Sequence, residues 1–129
     1  MNSIETLTSA LPRVAYIRGP QPSAQRAAFA AHADTDGIPV ANIYEDGEVS
    51  SALPRPGFAR LQADLDAGVI GEVLVTRPDR LTRSVKEWAR LSSQATITLM
   101  EPGAQLGPFF AQMMAAVDAY EQAVARRRA

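Results

Sequence analysis

Four short apolar runs alternate with stretches long enough to hold a helix, and that alternation limits the chain to few folds. Val14-Ala15-Tyr16-Ile17 lies beside the turn residues Gly19, Pro20 and Pro22; Ile38 to Tyr44 is the second run, Val69 to Thr76 the third and Ala95 to Met100 the fourth. The third is nearly continuous in apolar character, as expected of a strand covered on both faces. Between the runs, Ser23 to Asp34 reads as an Ala-rich helix that Ser23 can cap. Pro56 to Ala67 reads as a helix with proline in its first turn, and Ser84 to Leu91 as a third. The order β-α-β-α-β-α-β with connections of this length implies right-handed crossovers. It predicts an α/β fold: a mainly parallel four-stranded sheet with helices on both faces.

At 129 residues, 47% of them hydrophobic, the chain can bury one real core but not two. Residues 1–12, rich in Ser and Thr and closed by Pro12, are expected to form a flexible arm ahead of an α/β domain over 13–105. Residues 106–129 follow the last strand and suit a long helix of about six turns at 1.5 Å per residue. On it Phe110, Met113, Met114, Val117, Tyr120 and Val124 fall on one stripe. That stripe either packs across the domain's own sheet or builds a homodimer through Leu106 to Arg128.

The sequence has no Cys and a single His, His32, so a Cys- or His-built metal centre is not expected, and nothing asks for a cofactor. No apolar run approaches the roughly 20 residues of a membrane-spanning helix, and the first ten residues lack a signal-peptide pattern. A soluble, cytoplasmic protein is the expectation. With 13 basic and 14 acidic residues, any affinity for nucleic acid has to come from a local cluster.

Such a cluster is present. Arg77-Pro78-Asp79-Arg80-Leu81-Thr82-Arg83 follows the third run and so falls at the C-terminal edge of the predicted sheet, where α/β proteins place their sites. Arg18, at the end of the first strand, and Arg55, after the second, should reach the same edge. Guanidinium groups converging there point to phosphate, which their planar fork binds through paired hydrogen bonds at any relevant pH. Asp46 and Asp79 could hold the forks in place. The competing reading leaves these arginines as solvated ends of strands and helices paired with nearby acids. Trp88 is expected in the core and His32 exposed on the first helix. Arg126-Arg127-Arg128 suit either a helix C-terminus or a contact with phosphates.

These residues carry a resemblance. Val14-Ala15-Tyr16-Ile17-Arg18 is similar to the opening strand of serine recombinases of the resolvase/invertase family, whose pattern is Tyr-Ala-Arg-Val-Ser with the Ser as nucleophile. Asp46, followed nine residues later by Arg55-Pro56-Gly57-Phe58, resembles the family's acidic loop and Arg-Pro helix start, and Asp79-Arg80-Leu81-Thr82-Arg83 resembles its Asp-Arg-Leu-Ser-Arg signature. Gln25 fits the Gln that opens the family's first helix, and the segment from Gly107-Pro108-Phe109-Phe110 to Ala119-Tyr120-Glu121 resembles its dimerisation helix. The likeness spans Arg13 to Arg126.

In that family a serine hydroxyl attacks a DNA phosphodiester while arginines stabilise the charged transition state. The resemblance therefore implies a phosphate clamp of Arg18, Arg55, Asp79, Arg80 and Arg83. Two residues on from Arg18, however, the nucleophile position holds Pro20, which has no hydroxyl. Gln122 stands where the family has Arg, and no helix-turn-helix domain is expected after the long helix. Three readings follow. The chain is a non-cleaving domain acting in DNA recombination or its regulation, as a homodimer or paired with an active recombinase; it is an active phosphoryl-transfer enzyme using Ser23 as a displaced nucleophile; or it is a protein-interaction module that no longer meets DNA.

Overall fold

A computed structural model describes residues 11–47, 54–101 and 108–128. Four strands, β1 (Arg13–Ile17), β2 (Val40–Glu45), β3 (Glu72–Val75) and β4 (Thr96–Leu99), form one sheet in the order β2-β1-β3-β4, every pairing parallel. Helices α1 (Pro22–Asp36), α2 (Pro56–Asp66), the short α3 (Pro78–Leu81), α4 (Val85–Gln94) and α5 (Pro108–Arg128) complete the fold. This is the α/β architecture expected from the alternation.

The strands run between two unequal layers. Val14 and Tyr16 of β1 and Val73 and Val75 of β3 face one side, where Phe58, Leu61 and Leu65 of α2 and Trp88 and Leu91 of α4 cover them. Ala15, Ile17 and Leu74 face the other, under Phe29 of α1, with Val40 and Ile43 packed against them. Those last two lie three apart, which strict alternation would put on opposite faces. The register between β1 and β2 slips after Arg13, pairing Arg13 with Val40 but Val14 with Asn42. The extra residue, Ala41, resets the alternation as a β-bulge does.

Several boundaries differ from expectation for identifiable reasons. Strand β3 is shorter than the run Val69 to Thr76, because Val69 is half exposed and Gly71 turns its N–H to the Pro12 carbonyl at 2.9 Å. The segment Pro78 to Leu81, expected as a turn, is a helical turn led by Pro78, whose fixed φ suits that position. Ser23 does not cap α1. The helix begins one residue earlier at Pro22, after Gln21 in the left-handed region at φ 60°, and no side chain caps it. Ser84 does cap α4, accepting from the Glu87 N–H at 3.1 Å.

Arg13 sits at the opposite end of the sheet from the arginine cluster. It is buried and donates to both Asp36, at 2.6 Å and 2.9 Å, and Glu72, at 2.7 Å, closing the end of α1 onto β1 and β3. Helix α5 runs against α4, and its Met114 and Val117 join the core on the α2 and α4 side. Tyr120 of the same stripe is 40% exposed. The side chains of Phe110 and Met113 and the first ten residues of the expected arm lie outside the described residues. Trp88 is buried, and His32 is half-buried with its Nε2 3.5 Å from Asp36.

Candidate functional site

The strand order decides where a site can form. From β1 the chain crosses to β2 on one side, and from β3 it crosses to β4 on the other, so the connections diverge above the C-terminal ends of β1 and β3 and leave a crevice. Arg18 follows β1 directly, and Arg77 to Arg83 rise from β3 through α3. Arg55 immediately precedes α2 and joins them from the loop after β2.

Arg18 is 7% exposed, and its Nη2 donates to the backbone carbonyl of Asp79. Arg55 donates through Nη1 to the Leu81 carbonyl at 2.9 Å, lies 4.0 Å above the ring of Phe58 and has Glu87 3.7 Å from its Nη2. Both guanidiniums are thus tethered chiefly to main-chain carbonyls of α3, which fix their position without cancelling their charge. Burial, then the charges of Arg55 and Arg83, pull the Arg18 guanidinium below its usual value. An arginine stays protonated through such a shift at neutral pH, so Arg18 is a buried cation among cations. Arg83 is exposed. Arg55 and Arg83 thus each act on Arg18 through their charge.

Arg80 goes elsewhere. A Cβ placed on Gly19 would collide with Arg80 Nη1, so this guanidinium crosses directly over the Gly19 backbone. Gly19 tolerates its own φ of 86° for the same lack of a side chain. Beyond it Arg80 borders a pocket on the α1 side of the sheet together with Pro20, Gln21 and Gln25. Arg80 is thus set over the Gly19 backbone, at a pocket that Pro20 also borders.

Of the two acids expected to hold the forks, Asp79 pairs with Arg77, whereas Asp46 is engaged otherwise. Asp46 holds no arginine: it is 6% exposed and accepts from the Tyr16 hydroxyl at 2.6 Å and from the N–H groups of Gly57 and Phe58 at 2.8 Å and 2.9 Å. It is the anchor of the α2 N-terminus, where carboxylates are favoured, and so it places Arg55. The Asp79 carboxylate pairs with Arg77 at 3.1 Å, and only its main-chain carbonyl meets Arg18. Arg77 also approaches Glu101 at 3.7 Å. Desolvation and the bond to Asp46 hold the Tyr16 phenol well above its ordinary range. Its role, like that of Gly19, was not read from the sequence. A tyrosine in a buried strand looks like core, and only the partner thirty positions away makes it a hydrogen-bond donor to the site's scaffold.

Ser23 is exposed in the first turn of α1. Gln21, Ala24, Gln25 and Ala28 line the pocket that Arg80 borders. At about 100° per residue Ser23 then projects roughly 150° away from them, across the helix.

Three solved structures share this fold. The N-terminal catalytic domain of TP901-1 integrase aligns with a TM-score of 0.63 at 22% identity, over 88% of this chain and 98% of that one. A resolvase family site-specific recombinase from Streptococcus pneumoniae aligns at 0.62 and 17%, over 92% and 93%. The C-terminal catalytic domain of IS1535 TnpA, an IS607-like serine recombinase, aligns at 0.53 and 26%, over 85% and 97%. No curated protein sequence gives a significant match. Residues 13–129 match the family described as "Resolvase, N terminal domain", from the strand that carries Arg18 to the end of the long helix. The chain accordingly belongs to the resolvase family of serine recombinases.

Proposed function

We propose that this domain binds the DNA phosphate backbone in the crevice formed by Arg18, Arg55 and Arg83 and takes part in recombination or its regulation without cleaving DNA. The observation that carries the reading is the buried Arg18: among the described residues it meets a main-chain carbonyl rather than a carboxylate, beside two further cations. An uncompensated buried charge is costly, and an anion in the crevice relieves that cost. Pro20, two residues on, offers no hydroxyl to a phosphodiester held there. Ser23 is exposed in the first turn of α1, and the displaced-nucleophile reading is decided by the Ser23→Ala adduct test below. Asp79 acts through its carbonyl as a positioning residue for Arg18, and Arg80 serves outside this trio.

Assembly through α5 is part of the proposal. Met114 and Val117 are committed to the domain's own core, while Tyr120 further along the stripe remains exposed and open to a second copy or to a related recombinase. No helix among the described residues is long and apolar enough to cross a membrane.

Fluorescence anisotropy with labelled duplex DNA at several salt concentrations tests the reading, alongside denaturing gels for a covalent protein–DNA adduct. The expectation is binding that weakens steeply with salt, no adduct, and a slope about one unit shallower in Arg83→Ala, which removes one phosphate contact at an exposed position. No binding at low salt would replace this proposal with a protein-interaction role. An adduct lost in Ser23→Ala would replace it with an active enzyme.

A further inference from the structure

Glu87 is the one carboxylate in ion-pair contact with the arginine trio among the described residues. Its place in the chain shows why it is free for that contact. It stands third in α4, three residues after the N-cap Ser84. In such a Ser-x-x-Glu arrangement the glutamate ordinarily reaches back to the N–H of the cap residue. Here the Ser84 N–H is already taken, donating at 3.0 Å to the hydroxyl of the buried Thr82. The Glu87 side chain is therefore spare, and it turns to two arginines instead.

The two contacts are alike in length. Oε1 lies 3.7 Å from Arg55 Nη2, and Oε2 lies 3.6 Å from Arg90 Nη2. Both exceed hydrogen-bond reach, so the carboxylate is shared between the cations and locked to neither. The arginines differ in how they are held. Arg55 is fixed: its Nη1 donates to the Leu81 carbonyl, its guanidinium lies over the Phe58 ring, and its side chain is buried. A phosphate oxygen that pairs with Arg55 Nη2 competes with Glu87 for it. Arg90 stands outside the crevice, half exposed on α4, and donates to Gln62 Oε1 of α2 at 2.9 Å.

We infer that Glu87 is an exchangeable counter-ion of Arg55, facing it while the crevice is empty and shifting to Arg90 when a phosphate takes the Arg55 fork. This rests on phosphate binding in the crevice and adds a control on its strength. Glu87 lowers the affinity of the crevice for the DNA backbone. Arg90 offsets part of that loss by offering the carboxylate a second partner. Without Glu87 the phosphate meets an unopposed Arg55; without Arg90 the carboxylate has Arg55 alone.

Fluorescence anisotropy with a labelled duplex at one low salt concentration tests this on wild type, Glu87→Gln, Arg90→Ala and the double variant. Circular dichroism confirms that each is folded. Glutamine keeps the shape of the side chain and removes its charge. Asp34→Asn, which removes an exposed charge on α1, is the control for net charge. Glu87→Gln should bind the duplex about threefold more tightly than wild type, the effect of a partly exposed ion pair, while Asp34→Asn changes it by less than about twofold. Arg90→Ala should weaken binding by about twofold, and the loss should vanish where Glu87 is already replaced. Glu87→Gln binding no tighter than Asp34→Asn overturns the inference and leaves phosphate binding in the crevice standing. So does an Arg90→Ala variant that loses no affinity, or one whose loss persists in the double variant, since Arg90 then meets DNA by itself. No duplex binding by the wild type overturns both.

Discussion

Replacing Asp46 by Ala removes the acceptor of three hydrogen bonds at once, and its cost can be built from their separate roles. The two N–H groups of Gly57 and Phe58 in the first turn of α2 lose a cap, worth about 1 kcal/mol and up to about 2. The Tyr16 hydroxyl, on a residue with no exposed surface, loses its partner inside the core, at about 1–3 kcal/mol. The sum is about 3 kcal/mol, a large part of the roughly 5–15 kcal/mol that holds a domain folded. Urea unfolding of wild type, Asp46→Ala, Tyr16→Phe and the double variant measures it. Asp46→Ala should lower the midpoint with an unchanged slope, and the double-variant cycle should return a Tyr16–Asp46 coupling of about 1 kcal/mol or more. A loss below about 1 kcal/mol in Asp46→Ala, or additive single effects, would refute this account. Because α2 begins directly after Arg55, the same variant should bind duplex DNA more weakly even under conditions where it is folded.

Two further perturbations test the frame around the site. Arg13 holds the Asp36 carboxyl at about 2, below its usual 3.8, so the folded state binds fewer protons than the unfolded state between those values. The stability this pair adds is present above about pH 4 and is lost as pH falls towards 2; urea midpoints across that window should drop less steeply in Asp36→Asn, and parallel curves would count against the pairing. In Gly57→Ala the new Cβ would lie 2.5 Å from the Glu45 carbonyl oxygen, against backbone rather than a side chain that can turn away. A loss of about 2 kcal/mol is expected from such overpacking, and thermal unfolding showing less than about 0.5 kcal/mol would sink the argument.

The sheet was legible because its evidence is local. Each strand announces itself as a short apolar run between turn residues, and each crossover has room for a helix, so the order and parallel sense follow. The bulge at Ala41 was not legible, since it depends on which neighbour β1 presents rather than on anything within β2. That Arg18, Arg55 and Arg83 follow consecutive strands is plain in the sequence. The place of Arg80 over Gly19 could not be foreseen: a guanidinium on a long side chain goes where the opposing backbone leaves space, and that space is set by Gly19, sixty-one positions away. Asp46 was misassigned for a related reason, whereas Asp79 does pair with Arg77. Asp46 near arginines in sequence looks like an ion-pair partner, yet the first-turn N–H groups of α2 and the Tyr16 hydroxyl surround its carboxylate. Main-chain donors leave no trace in a sequence.

Gly19 and Pro20 stand where the family pattern has Val and Ser, and their effects are connected. On that resemblance the proline offers no hydroxyl where the family pattern has its serine. The glycine, by lacking a Cβ, lets Arg80 cross the end of β1 into the pocket that Pro20 also borders. A valine at position 19 would occupy the path of the Arg80 guanidinium. A crevice with three arginines can still hold a phosphate, because binding needs only charge in reach, whereas transition-state stabilisation needs that charge aimed at the oxygens on which it develops.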